Sequence, residues 1–161
     1  MANINYNLEE FTSDILIQND MYKIPVDLIK IANNNNIEVY KSEVEEKISG
    51  AIKYYKKEDK FIILLNEKDS EFRRRFTLAH ELGHYFLHKD ILKSDEIHVD
   101  TLYRMPSEKE REVDYFAGAL LINKKLLEKM YLKTTSISAL SQIFEVSESA
   151  MTVRLDILGM L

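Results

Sequence analysis

His80-Glu81-Leu82-Gly83-His84 is the stretch of this 161-residue chain whose residue types and spacing can do chemistry. On an α-helix, residues four apart lie one turn apart on the same face, so His80 and His84 can offer two imidazoles to one Zn²⁺. Glu81 is then placed to reach a water held by that ion. Such a water has a lowered pKa and becomes a usable nucleophile near neutral pH. A bare five-residue pattern arises by chance, and its surroundings decide the matter. Leu78, Ala79, Leu82, Tyr85, Phe86 and Leu87 make this helix apolar over much of its circumference, which predicts burial. Two imidazoles and a carboxylate in a buried helix cost free energy unless something compensates them, and a metal does.

Catalytic zinc takes three protein ligands and one water. A third His six residues after the second is ruled out, because position 90 is Asp90. His88 shares the face of His84, but three ligands in a row along a straight helix span about 12 Å, too far to share one ion. It reads as a packed or exposed helix residue. His98, further along, is an isolated candidate. The other route is a carboxylate from a second helix, and Glu110-Arg111-Glu112-Val113-Asp114 supplies two on the face of Val113 and Ala117. One can bind the metal while the other orients a ligand His through its second ring nitrogen. Glu112 points to the opposite side of that helix and reads as a solvated charge.

These residues need elements to hold them. Leu8, Phe11, Ile15 and Leu16 give residues 1–20 a weak helical pattern. Val26, Leu28, Ile29 and Ala32 predict a helix after Pro25, ended by the four asparagines 33–36. Ile37–Tyr40, Ile48–Tyr55 and Phe61–Asn66 read as strands, the last two as an antiparallel hairpin, with Ile48–Tyr55 able to offer an open edge to an extended peptide. Ser70 is the expected cap of the His-bearing helix, and Arg73, Arg74 and Arg75 read as its solvated face. Residues 89–106 read as a long loop. Ser107 and Glu110 form a capping-box pattern that opens the next helix. Short amphipathic segments follow from Lys124 onward. The expected architecture is α+β, a single domain over residues 1–161. It has an extension over about 1–24 and a C-terminal helical segment over about 134–161. A small antiparallel sheet packs on the His-bearing helix.

Composition narrows the setting. Apolar residues at 45% suffice for a core, and the 30% of charged residues suits a soluble domain. No apolar run approaches the roughly 18–20 residues of a membrane span. The first residues lack the basic and apolar regions of a signal peptide. With no cysteine, a metal must be held by His and carboxylate. These features favour the cytoplasm. The net charge of −5 gives no sign of a broad nucleic-acid surface. The segment 138–155 has a helix-turn-helix look, but Arg154 is the only base on its would-be recognition helix. Packing on the rest of the chain is the expected role.

Arg75-Phe76-Thr77-Leu78-Ala79-His80-Glu81-Leu82-Gly83-His84, followed by residues 110–121, resembles the ImmA/IrrE family of metallopeptidases. Ile48-Ser49-Gly50, residues 61–66 and the tail 146–155 are similar to that family as well, so the resemblance covers about residues 25–161. One departure is Ile122-Asn123, where the family usually has Met-Pro. The resemblance implies a zincin-like fold of the gluzincin kind, with His80, His84 and Glu110 as zinc ligands and Glu81 as catalytic base. It also implies an endopeptidase acting on a regulatory protein, such as a helix-turn-helix repressor of a phage or mobile element. The alternative is a module that grips such a regulator without cleaving it; an intact Glu81 argues for chemistry. Tyr85, His98 and Tyr103 are the candidates for a transition-state donor.

Overall fold

The computed structural model describes residues 2–94, 97–101 and 107–161, with residues 2–6 and 100 described by backbone alone. Its elements are α1 (Ala2–Gln18), α2 (Leu28–Asn34), β1 (Ile37–Ser42), β2 (Ile48–Tyr55), β3 (Lys60–Asn66), α3 (Glu71–Lys93), β4 (His98–Thr101), α4 (Glu108–Leu121), α5 (Lys124–Tyr131), α6 (Ile137–Phe144) and α7 (Glu148–Ile157). The α+β class holds. The sheet is mixed, in the order β1-β3-β2-β4.

Two expectations about that sheet are corrected. β1 pairs parallel to β3, Ile37 opposite Phe61, so only the β2–β3 and β2–β4 pairs are antiparallel. β2 is interior, flanked by β3 and β4, and therefore offers no open edge. Among the described residues the edges belong to β1 and β4. β4 itself falls in the stretch 89–106 that reads as loop, of which the helix α3 also takes residues 89–93. With Val99 as its lone apolar residue, itself 40% exposed, β4 carries no alternation to betray it.

The core lies between the sheet's inner face and the helices. Ile52 and Ile63 are opposite one another on β2 and β3 and wholly buried, with Phe61 and Leu65 beside them. Phe61 meets Tyr85 of α3 edge-on at 5.0 Å. Where α3 crosses the sheet, Gly50 leaves room for it. A Cβ there would stand 2.7 Å from Thr77 Cγ2 and 2.8 Å from the Leu64 carbonyl oxygen. On the other side α3 packs on α4, through Val113 and Phe116 against Gly83.

The helix ends follow their local chemistry. Ser70, Ser107, Ser136 and Ser147 each accept a hydrogen bond from the backbone N–H three residues on. Asn36, after the four asparagines begin, takes a left-handed φ of 57° that Asn tolerates. Asn123, where the family pattern has Pro, caps α5 by accepting from the Leu126 N–H, and its Nδ2 donates to Ser13 Oγ at 2.8 Å.

Of the arginines of α3, Arg73 is exposed as expected and Arg74 and Arg75 are half-buried, and all three hold hydrogen bonds to the rest of the chain. Arg73 donates to Ser49 Oγ on β2, and Arg74 to the carbonyls of Glu67 and Asp69. Arg75 donates to the carbonyls of Val26 and Glu145, at 3.0 Å each, and of Phe144. Arg154 is equally committed. It is 3% exposed, donates through two nitrogens to the Glu9 carboxylate at 2.6 and 2.8 Å, and donates to the Ile122 carbonyl through Nε. α7 is thereby tied to α1 and α4. A buried Arg paired in this way is not available to a DNA phosphate.

Two glycines inside helices separate packing from propensity. Gly83→Ala should destabilise by about 1–3 kcal/mol, because its Cβ would meet stiff, buried Val113 at 2.9 Å. Gly118→Ala has its nearest neighbour at 3.9 Å and should gain about 0.5–1 kcal/mol from helix propensity. Urea unfolding of the two variants reads the difference, and equal behaviour would contradict the close packing of α3 on α4.

Candidate metal centre

His80, Glu81 and His84 lie in the buried middle of α3, at 1%, 0% and 1% exposure. The four-residue spacing brings His80 Nε2 and His84 Nε2 to 3.3 Å from one another. α4 delivers Glu110 from its first turn. Its backbone N–H donates to the Ser107 cap, while its carboxylate stands 3.1 Å from His80 Nε2 and 3.4 Å from His84 Nε2. One turn on, Asp114 Oδ1 holds His80 Nδ1 at 2.8 Å. That bond leaves Nε2 of His80 as the nitrogen facing the other donors.

His98 arrives from the sheet. Directly opposed residues of an antiparallel pair point to the same face. His98 is opposite Ile52, which is wholly buried, so its ring turns inward over α3. It lies 3.7 Å from the His84 ring, centroid to centroid, with Nε2 3.8 Å from Glu110 Oε1. One ligand atom each from His80, His84, His98 and Glu110 lies within 4.8 Å of all the others.

Ligand atoms about 2.0–2.1 Å from a tetrahedral zinc stand roughly 3.3 Å apart. The 3.3 Å between His80 Nε2 and His84 Nε2 matches that edge length, and Glu110 sets one carboxylate oxygen against each ring, Oε2 at 3.1 Å from His80 and Oε1 at 3.4 Å from His84. Protonation fits as well. Burial, with the His98 and His80 imidazoles beside it, pushes His84 down to about 2, against the pull of Glu110. Burial alone would raise Glu110, but the hydrogen bond with His80 and the imidazoles of His84, His80 and His98 hold it at about 2. Both groups are then in the forms that ligate metal, neutral imidazole and ionised carboxylate. The donor set fits one divalent cation.

The model of a peptidase family, M78, described as the IrrE N-terminal-like domain, matches residues 32–156. The chain belongs to that family. Among curated proteins it is similar to Metallopeptidase ImmA of Bacillus subtilis (strain 168), 25% identical over 132 residues, covering 81% of this chain and 75% of that one. Among solved structures it is similar to a Mycobacterium tuberculosis transcriptional regulator, with a TM-score of 0.67 at 16% identity. That match covers 93% of this chain and 46% of the other, so the chain spans under half of that protein, and the likeness is one of fold. A metallopeptidase family implies a metal ion, and the His-His-Glu cluster can hold one.

The other sequence candidates fall as follows. Tyr85 is a half-buried aromatic wedged against Phe61 and Phe86. Tyr103 lies outside the described residues. His88, at 5.8 Å from the His84 ring, is outside the donor group and sits where α3 kinks, with φ −132°. Glu112 is also outside the donor group. Sequence reasoning left His98 isolated because nothing local shows that its strand pairs with β2. A cleft of about 880 Å³ includes His80 and Asp114 in its lining, together with Phe72, Phe76, Tyr115 and Val153. No helix among the described residues is long and apolar enough to cross a membrane.

Asp114 should act on the metal through His80. Asp114→Asn should weaken metal affinity by roughly 10–100-fold with the fold intact, since it loosens the ring's orientation and basicity. Competition with a chromogenic chelator measures this. An unchanged affinity would separate Asp114 from the site.

Proposed function

We propose that this chain is a zinc endopeptidase that cleaves a regulatory protein in the cytoplasm, with His80, His84 and Glu110 holding the metal and Glu81 as general base. The observation that carries the reading is the convergence of His80, His84 and Glu110, two imidazole nitrogens 3.3 Å apart with a carboxylate oxygen within 3.4 Å of each, next to a fully buried Glu81. Membership in a peptidase family supports the reaction class.

His80, His84 and Glu110 would hold the zinc, which when bound would supply a lowered water pKa and a charge that polarises the scissile carbonyl. The residues of the chain do the rest. Glu81 accepts a proton from the attacking water and passes it to the departing amine as the C–N bond breaks. Asp114 fixes the His80 ring through Nδ1. β4 is the outermost strand and stands beside the donors, so an extended substrate can add to its edge by main-chain hydrogen bonds. The cleft between α3, α4 and α7 takes side chains of the same polypeptide, with Phe72 and Val153 as apolar contacts and Arg73 and Arg111 as cationic ones. The substrate proposed is a helix-turn-helix repressor of a phage or mobile element, following the family resemblance.

Glu81→Gln separates a protease from a gripping module. The substitution keeps shape and volume and removes the proton acceptor. Cleavage of the repressor encoded beside this chain, read by intact mass, should fall by at least roughly 10²–10⁴-fold with zinc retained. Glu110→Gln should lose zinc as well. Inactivation of the regulator in cells by Glu81→Gln as efficiently as by the parent would favour gripping over proteolysis.

A further inference from the structure

We propose that His98 is a fourth protein ligand, so that three imidazoles and one carboxylate would hold the metal at rest and His98 would give way when water or substrate enters. The proposal rests on the metal reading above and goes beyond it, because that reading needs only His80, His84 and Glu110.

Three observations converge on His98. One of its ring nitrogens belongs to the one group of donor atoms, among the described residues, that all lie within 4.8 Å of one another. Its ring already stands against the His84 ring, 3.7 Å between centroids, and has only to part to the 5.0 Å that separates His80 and His84 for both to bind one ion. Its direction is set by the backbone: opposite Ile52 on β2, it shares the inward face of a buried residue. A donor kept for a substrate oxygen would need a reacting group's width between itself and the metal ligands. His98 Nε2 is instead 3.8 Å from Glu110 Oε1, close to the spacing of ligands on one ion.

Four protein ligands define a closed tetrahedral site, whereas a catalytic site keeps one position for water. The two are reconciled by where His98 resides. β4 is the edge strand, four residues long, and its pairing with β2 shifts register between Ile48 and Gly50. That same strand offers the edge to which an extended polypeptide would add. Substrate pairing with β4 and departure of His98 from the metal are then coupled, and the chain is latent until a fitting polypeptide arrives.

The chain has four histidines, which makes the test countable. Uniform ¹⁵N labelling of the full chain, with long-range ¹H–¹⁵N spectra recorded during zinc titration, reads each ring separately. Three Nε2 resonances, those of His80, His84 and His98, should take metal-bound shifts together at one equivalent, while His88 should not. Two shifted rings, with His98 unmoved, would overturn the proposal and leave the His-His-Glu reading standing. No shifted rings would overturn both. Cobalt substitution gives a second readout. The parent should show the intense visible bands of four-coordinate Co²⁺. His98→Ala should show weaker bands that respond to added azide, and bind zinc at least roughly 10–100-fold more weakly. A parent spectrum already sensitive to azide, and unchanged by His98→Ala, would sink the closed site. If that variant fails to fold, the ring count in the parent decides.

Discussion

Glu110 reaches the imidazoles of α3 because the backbones of α3 and α4 approach closely at Gly83, where Val113 and Phe116 fill the space a Cβ would need. Val113 lies three residues after Glu110 and one before Asp114. The contact that brings the helices together therefore also sets the height of both carboxylates. A larger residue at position 83 would push α4 outward, and the 3.1 and 3.4 Å separations from Glu110 to the two rings would open with it. The Gly in the middle of the motif costs helix stability of about 0.5–1 kcal/mol relative to Ala. It stands where the two helices come closest. Gly50 does the same on the sheet side, letting β2 lie against Thr77.

Holding polar groups in a dry helix demands that the framework be tight. The clamps are cationic. Arg75 gathers the carbonyls of Val26, Phe144 and Glu145 onto the start of α3, and Arg154 joins α7 to Glu9 and Ile122. Each satisfies carbonyls left over at segment ends, groups that would otherwise be costly to bury. Tyr115 adds a hydrogen bond to the same Glu9 and lies under the Arg154 guanidinium. The helix-turn-helix look of the tail thus reflects two short capped helices packed onto the domain through the very base that DNA contact would have required.

What the sequence made legible was what is local. The His pair, the Ser70 and Ser107 caps, the three longer strands and the inward face of α4 all follow from period and cap chemistry within one segment. The parallel pairing of β1 with β3 was hidden, since parallel partners are joined through another strand and leave no turn signature. β4 was hidden because four residues, His98-Val99-Asp100-Thr101, hold too little apolar alternation to register. The misreading of Arg75 has a similar origin. A charge run looks solvated until the carbonyls it serves, as distant in sequence as Val26 and Glu145, are folded against it.

The donors consequently differ in how firmly they are held. Displacing the Glu110 backbone means separating α4 from α3, which would expose Val113, Phe116, Ala117 and Leu120, all buried. At about 1.5–3 kcal/mol for each large apolar side chain, that is beyond what binding of a peptide can readily supply. Moving His98 means shifting a four-residue strand along the outside of β2, at a net cost of about 0.5–1.5 kcal/mol for each ladder hydrogen bond lost. An added strand replaces such bonds in kind. A site built with two imidazoles and a carboxylate on packed helices, and its remaining imidazole on a sheet edge, yields at the edge first, and the edge is where an extended polypeptide would bind.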